Sequence, residues 1–293
     1  MDTLFLAVGF VLVTAFIIAT SAVAFSLQYA VTNVPNFAHG EILTVAAYTA
    51  YLVQRHGQGL LLGALVGAIS GALTAYLMYR LVLRSFVQRS TRLVYTVAVT
   101  AGISLIVENG LGIAFGNDNV NLNVPSEQAH HVGPFLWTSI DLVVMGGGLL
   151  LLVIVHATLR YTAFGRAQRA VSDNADLARA SGVRVDRVVA LTWLMAGAVA
   201  GLGGIALATS RATFGPLIGN SFLLVTFAAA IVGGVGRVYG AMAGALIIGL
   251  VTEVSGAYLS SGYKQVAALL ILALVLLLRP NGILTVQRGG AEA

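Results

Sequence analysis

The sequence predicts an all-α protein that crosses a membrane several times. Of its 293 residues, 58% are hydrophobic and only 9% are charged, whereas a soluble domain carries about 25% charged residues. Apolar stretches recur along the whole chain, and several reach the roughly 20 residues that a helix needs to span hydrocarbon. These stretches lack the period-two alternation of a membrane β-barrel, so we expect the spans to be helices.

Nine apolar segments follow one another, and two of them are interrupted or short. Residues 3–40 carry no Asp, Glu, Lys or Arg but are interrupted at residues 33–36, and residues 220–236 end in a Gly-rich run. Such segments in transporters are often half-helices. We therefore predict eight to nine spanning or half-spanning helices in one membrane domain, residues 1–293. The segments are residues 4–26, 36–54, 60–83, 93–115, 138–159, 188–210, 220–236, 238–257 and 263–279.

The positions of the basic residues predict how the chain is oriented. Thirteen of the sixteen lie in four places, and the others, Arg55, Arg211 and Lys264, alternate with those places along the chain. Loops rich in Lys and Arg stay cytoplasmic, so we expect the N-terminus outside and the C-terminus in the cytoplasm. Topology thus explains the net charge of +5, and we expect no nucleic-acid partner. The four places are Arg80, Arg84, Arg89 and Arg92; Arg160, Arg166, Arg169, Arg179, Arg184 and Arg187; Arg237; and Arg279 with Arg288.

Glycines recur every four residues in three of the apolar segments. Lipid supplies no hydrophobic force between helices, and small residues let their backbones approach closely instead. We expect these glycines to pack within the bundle or against a second subunit. They are Gly63, Gly67 and Gly71; Gly197 and Gly201; and Gly240 and Gly244.

Motifs for catalysis or metal binding are missing from the sequence. A nucleotide-binding loop is Gly-rich and ends in Lys-Ser or Lys-Thr, but the one lysine, Lys264, lies in Gly262-Tyr263-Lys264-Gln265. There is no His-Glu-x-x-His zinc motif and no cysteine. We therefore expect no catalytic residue, no metal site and no cofactor on this chain, and we do not expect it to be an enzyme.

The segment from Asn33 to Glu41 predicts a broken helix at membrane depth. Pro35 removes a backbone donor, and Asn36 is suited to cap the helix that follows. Ionisable groups inside a membrane are costly and mark either a transport pathway or a buried structural network. Both interpretations stay open. The candidate path or gate residues of this segment are Asn36, Phe37, His39 and Glu41.

Two further acidic positions lie inside apolar segments. Glu108, beside Asn109, and Glu253 are also candidates for the transport path. The alternative for each acid is an ion pair with an arginine or a solvent-facing position near a helix end.

Residues 160–187 form the largest predicted cytoplasmic segment and contain a short helix. Ser172 or Asp173 can start it, Asp176 suits its first turn and Arg179 its last, and Gly182 ends it. The helix either docks on a cytoplasmic partner or is a solvated connection. The candidate docking residues are Asp173, Asn174, Asp176, Leu177, Ala178, Arg179, Ser181 and Gly182.

Four motifs resemble those of a known transporter family. The chain is similar, from about residue 10 to residue 286, to permeases of ATP-binding-cassette importers for branched-chain amino acids, and most of all to the short-N-terminus permease subunit of the hydrophobic amino acid uptake family. The motifs are Asn36-Phe37-Ala38-His39-Gly40-Glu41; Gly165-Arg166-Ala167 with Asn174-Ala175-Asp176-Leu177-Ala178 and Gly182-Val183; Val232-Gly233-Gly234-Val235-Gly236 with Gly240-Ala241; and Arg279-Pro280-Asn281-Gly282-Ile283-Leu284.

The resemblance implies a bacterial inner-membrane permease of the importer type with two inverted repeats, in which residues 36–54 correspond to residues 220–257. It implies three kinds of protein partner: a second similar permease, two ATPase subunits that use ATP and Mg²⁺, and a periplasmic solute-binding protein. It also implies that residues 173–183 form a coupling helix that contacts the ATPase. Membrane lipid surrounds such a subunit.

The solute stays open at this point. The wider family also carries urea, short amides, nucleosides and sugars, so an importer of urea, a short amide or another small solute is an alternative. Its urea-transporting members usually have Met where Phe37 stands, which favours an amino acid. A secondary transporter driven by an ion gradient is the other alternative.

Overall fold

The computed structural model describes residues 2–89, 92–124, 129–132, 135–211, 213–279 and 282–283. Twelve α-helices dominate this part of the chain, together with a π-helical stretch, a 3-10 turn and one antiparallel β-hairpin. The helices are α1 Asp2–Thr32, α2 His39–Arg55, α3 Leu60–Leu77, α4 Arg84–Gln88, α5 Leu93–Phe115, α6 Ser139–Tyr161, α7 Ala163–Asp173, α8 Ala175–Ala180, α9 Val185–Thr209, α10 Ile218–Gly233, α11 Val238–Tyr258 and α12 Lys264–Leu278; the π-helical stretch is Met78–Leu83, the 3-10 turn Ser261–Tyr263, and the strands are β1 Ala129–Val132 and β2 Phe135–Thr138.

Within the described residues, seven helical stretches are long and apolar enough to cross a membrane, which confirms the predicted fold class. The two other predicted segments became α2 and α10, of 17 and 16 residues. At about 1.5 Å per residue each spans less than the roughly 30 Å of the hydrocarbon core, as expected for incomplete spans. The seven are Gly9–Thr32, Leu60–Val87, Leu93–Phe115, Ser139–Tyr161, Val185–Thr209, Val238–Tyr258 and Ser261–Leu278.

The first helix runs further than the predicted segment, to Thr32 instead of residue 26. It ends because Asn33 adopts a left-handed φ of 53° and Pro35 disfavours helical geometry in the residue before it. Residues 33–38 are non-helical, and α2 begins at His39. Since the His39 ring contacts Ser21, about two-thirds of the way along α1, the chain turns back into the interior before it becomes helical again.

The predicted glycine stripes pack against each other, which confirms their role in close helix contact. An added Cβ at Gly71 would lie 2.6 Å from the Gly197 carbonyl oxygen, and one at Gly201 would lie 3.0 Å from the Gly67 oxygen, so α3 and α9 meet backbone to backbone. Gly240 and Gly244 approach α10 in the same way. Helix α9 lies at the centre of the bundle because it packs against α1, α2 and α3.

The predicted arginine groups gather at one end of the bundle, called here the arginine end. Arg84 forms a 3.0 Å ion pair with Asp186, so the end of the third span lies beside the start of α9. The Ile283 N–H donates to the Val232 carbonyl, 2.9 Å away, so the segment after Arg279 lies beside the end of α10. Arg55, Arg211 and Lys264 lie at the opposite end, where α2, α9 and the 259–263 loop finish. Arg288, Pro280, Asn281, Leu284 and the C-terminus lie outside the described residues.

Candidate functional site

A fully buried polar cluster surrounds the break between α1 and α2. The Gln28 side-chain oxygen accepts a hydrogen bond from the Asn36 amide at 3.3 Å and lies 3.2 Å from His39 Nδ1. His39 Nε2 lies 3.3 Å from the Ser21 hydroxyl, which is 2.9 Å from that of Thr226 on α10. We call Ser21, Gln28, Asn36, His39 and Thr226 the break cluster. It joins α1, α2 and α10.

Asn36 does not cap α2, and that prediction is wrong. The residue in the N-cap position is Ala38, and the Asn36 side-chain oxygen accepts from the Ala38 N–H at 3.0 Å. An Asn side chain that bonds to the backbone two residues ahead forms a local turn. The helix therefore starts after this turn and not at Asn36.

A polar stripe on α5 faces the break region. Its buried hydroxyls and one acid recur every four residues, so they share one face of an otherwise apolar helix. The Phe37 N–H donates to Thr100 Oγ1 at 3.2 Å, and Ser104 Oγ donates to Glu41 Oε1 at 2.9 Å. The stripe is Thr96, Thr100, Ser104 and Glu108.

The same stripe places Glu108 next to α10. The Asn220 side-chain amide donates to Glu108 Oε2 at 2.8 Å. Phe37, Glu41 and Glu108 therefore lie along one line between α2, α5 and α10. Sequence reasoning missed Thr100, Ser104 and Asn220, although the four-residue spacing on α5 was visible in the sequence.

Glu41 is the least satisfied acid on this line. Its side chain is fully buried, and its Oε2 atom has no hydrogen-bond partner within the described residues. A buried polar oxygen without a partner is costly in an apolar interior. The position thus offers an acceptor to a proton, a water molecule or a passing solute.

Two predicted path residues do not join this line. The Asn109 side chain donates to the Leu105 carbonyl of its own helix, 2.7 Å away, and is exposed. Glu253 lies at the end of the bundle opposite the arginine end. There Lys264 Nζ donates to its two carboxylate oxygens at 2.8 and 2.9 Å, and Thr14 Oγ1 donates to Glu253 Oε1 at 2.6 Å. Glu253 therefore forms an ion pair, with a lysine in place of the expected arginine.

The predicted docking helix exists as α8, but it begins later than expected. Ser172 and Asp173 close α7, and Asn174 caps α8 because its side-chain oxygen accepts from the N–H groups of Asp176 and Leu177 at 3.1 and 2.9 Å. A start at Ser172 or Asp173 is wrong because the extended backbone of Asn174, with φ −160°, separates the two helices.

The end of α8 agrees with the prediction. Gly182 adopts a φ of 85°, and its N–H donates to the Arg179 carbonyl at 3.0 Å. The Val183 N–H donates to the Ala178 carbonyl at 3.0 Å, which completes a Schellman motif. Glycine favours this left-handed position because it has no side chain.

The exposed surface of α8 carries one large apolar side chain, that of Leu177. Leu177 is 66% exposed, and beside it Asp176 and Arg179 form an exposed 2.9 Å ion pair. We call Asp176, Leu177 and Arg179 the docking patch. Ala178, expected to be free for contact, is instead 5% exposed and packs into the protein. The other candidate docking residues are exposed.

Comparisons with known proteins agree on one family. The family model described as "Branched-chain amino acid transport system / permease component" matches residues 7–278. The chain is 30% identical over 280 residues to the high-affinity branched-chain amino acid transport system permease protein LivH of Escherichia coli K12, covering 91% of this chain and 90% of that protein.

Two more distant relatives have similar descriptions. The probable branched-chain amino acid transport permease protein LivH of Methanocaldococcus jannaschii is 29% identical, covering 89% of this chain and 86% of its own length. The high-affinity branched-chain amino acid transport system permease protein BraD of Pseudomonas aeruginosa is 26% identical, covering 91% of each chain. No solved structure matches.

Proposed function

Because the chain belongs to the family of branched-chain amino acid transport system permease components, we propose that it is the membrane subunit of an ATP-driven importer for amino acids with apolar side chains. The chain is a multi-pass membrane protein, and the part that the structure describes contains seven helices able to span the bilayer. The arginine end faces the cytoplasm of a bacterial inner membrane, in line with the positive-inside rule. The solute crosses from the opposite end.

The observation that carries this proposal is the docking patch. An exposed leucine flanked by an ion pair, on a short helix between two spans, is suited to enter a groove on a partner. The sequence contains no nucleotide-binding loop, so the energy comes from separate ATPase subunits that bind ATP and Mg²⁺. The complete importer contains two of these, a second homologous permease and a periplasmic solute-binding protein.

The short connection between α8 and α9 supports a role of α8 in transmitting the state of the ATPase to the bundle. ATP binding can bias inward-open against outward-open states only through contacts that differ between them. Only residues 181–184 separate α8 from α9, and α9 packs against α1, α2 and α3. A movement of α8 therefore reaches the helices that surround the break cluster.

The line between α2, α5 and α10 is the proposed path or gate. Phe37, Glu41 and Glu108 lie on it, and Asn36 and His39 hold the adjacent helix break in place. Asn109 and Glu253 lie away from this line and are not assigned to it.

The decisive experiment replaces the docking patch. The double change Leu177→Asp with Arg179→Glu removes the apolar anchor and reverses a charge, so we expect the ATPase subunits to stop co-purifying while the permease still inserts. Leu259→Asp is the control because Leu259 is 70% exposed at the opposite end. Unchanged co-purification of the double variant would remove the docking role.

A transporter driven by an ion gradient is the second candidate, and the unsatisfied Glu41 oxygen favours it. The two candidates predict different effects of the ATPase on uptake. If the importer proposal is right, uptake in vesicles should stop when the co-expressed ATPase carries an inactive nucleotide-binding loop. Uptake that persists, and that follows an ion gradient, would support the second candidate.

A further inference from the structure

A cavity of about 660 Å³ lies at the end of the bundle opposite the arginine end. Helices α1, α6, α9, α10 and α11 and the start of α12 surround it. This volume falls within the roughly 300–1,000 Å³ that is typical of small-molecule sites. We call this cavity the vestibule.

The floor of the vestibule is apolar. Ile17 and Ile18 of α1, Leu207 of α9, and Phe222 and Val225 of α10 line it. The same two helices, α1 and α10, carry the hydroxyls of the break cluster about one turn further on. The vestibule thus ends directly before the buried polar cluster, on the side from which solute would arrive.

The rim of the vestibule carries both signs of charge, and among the described residues one of its cations, Arg211, has no ion pair. Lys264 is paired with Glu253, and one oxygen of Asp141 accepts from the Thr138 N–H and hydroxyl at 3.0 and 2.7 Å. The guanidinium of Arg211 has no hydrogen bond or ion pair within the described part of the chain. A guanidinium fork matches a carboxylate in geometry and charge.

Two acceptors remain for a positive group. A carboxylate has about four acceptor positions, so Glu253 and Asp141 can each accept a further hydrogen bond beside those that they already make. An apolar floor, an unpaired cation and two acidic acceptors are the complement of a zwitterion with an apolar side chain.

We propose that the vestibule is a binding site for a free amino acid with an apolar side chain. The carboxylate of the ligand pairs with Arg211, its ammonium group faces Glu253 and Asp141, and its side chain enters the floor. This inference rests on the proposed function and deepens it, since it gives the permease its own solute site in addition to that of a binding protein.

The test measures ligand binding to the permease–ATPase complex in lipid nanodiscs, without the binding protein, by saturation-transfer NMR. L-Leucine is compared with 4-methylpentanoate, which lacks the ammonium group, and 3-methylbutylamine, which lacks the carboxylate. We expect leucine to bind more tightly than both analogues. Because a charge-assisted hydrogen bond is lost, Arg211→Gln should weaken leucine binding about tenfold or more.

The same substitution should leave 3-methylbutylamine binding unchanged, because that ligand has no carboxylate to lose. Arg55→Gln is the matched control, since Arg55 is exposed at the same end but does not line the vestibule. Val225→Phe should also weaken leucine binding by filling the floor.

Three results would overturn this site: no leucine binding to the wild type, equal affinity in the Arg211→Gln variant, or leucine binding only after bound lipid is stripped, which would indicate a lipid site. ATP-driven leucine uptake with the binding protein present is measured separately in the wild type. Uptake with a result that overturns the vestibule rejects the vestibule alone, whereas no uptake rejects the proposed function.

Discussion

Two glycines set the distance between α2 and α10. An added Cβ at Gly40 would lie 2.6 Å from the Gly219 carbonyl oxygen and 3.0 Å from the Asn220 backbone nitrogen. The Gly219 N–H also donates to Thr44 Oγ1 at 3.2 Å. All close atoms around Gly40 belong to backbone, so no side-chain rotation can make room for a methyl group.

We therefore expect Gly40→Ala to lower the free energy of unfolding by about 1–3 kcal/mol, the usual cost of overpacking a well-packed contact. Thermal unfolding in detergent measures this change. Gly102→Ala is the matched control, because Gly102 is helical with nothing within 4 Å of its added Cβ. That control should be neutral or slightly stabilising, and an equal loss in both variants would contradict the close-contact explanation.

Individual polar partners were only partly predictable from the sequence. Asn36, His39 and Glu41 stood out because polar residues are rare in apolar segments, and Thr100, Ser104 and Glu108 share a readable four-residue spacing. Gln28 was missed because its partners lie 8 and 11 residues away across a chain reversal. Its role depends on the path of residues 33–38, which local pattern does not determine.

At the scale of elements, helix ends were predictable where a single residue decides them. Gly182 ended α8 as expected because only a residue that tolerates a left-handed φ suits that position. The start of α8 was placed too early because Ser172, Asp173 and Asn174 can each cap a helix. Only the extended backbone at Asn174 separates these alternatives.

The corner between α6 and α7 fixes the start of α7, which leads into α8. At Gly165 an added Cβ would overlap the backbone of Leu159, including its Cα atom at 2.6 Å, and Arg169 donates to the Leu159 carbonyl. Helix α7 must lie this close to α6 for α8 to present the docking patch at its observed place.

We expect Gly165→Ala to move α7 and α8 together, and so to reduce co-purification of the ATPase subunits several-fold at normal permease levels. Quantitative pull-down of the complex measures this loss. Gly147→Ala on the adjoining helix α6 is the control, since nothing lies within 4 Å of its added Cβ. If both variants retain the ATPase equally well, the corner does not position the docking patch.

For the whole molecule, composition and charge were sufficient to predict the fold class and the two ends of the bundle. The membrane forces apolar segments into helices, and alternating charged loops fix which helix ends lie together. The lateral order of the helices was not predictable in this way. It depends on which glycine faces meet, as between α3 and α9, and the glycine spacing does not name the partner helix.

The orientation in the membrane can be tested with single thiols because the sequence contains no cysteine. Ser181→Cys lies at the arginine end and Ser260→Cys at the opposite end, and both side chains are exposed. In intact cells, a membrane-impermeant maleimide should label residue 260 and should reach residue 181 only after permeabilisation. The reverse pattern would invert the proposed topology.

The π-helical stretch Met78–Leu83 has a consequence for how the third span meets α9. The side chain of Tyr79 stacks on Trp193 with ring centroids 5.5 Å apart, and Arg84, five residues later, pairs with Asp186. In a regular α-helix, residues five apart point in different directions, whereas the wider π turn brings them into phase. The wider turn therefore lets the third span contact α9 at two points near the arginine end. One contact is the aromatic stack of Tyr79 on Trp193, and the other is the ion pair of Arg84 with Asp186.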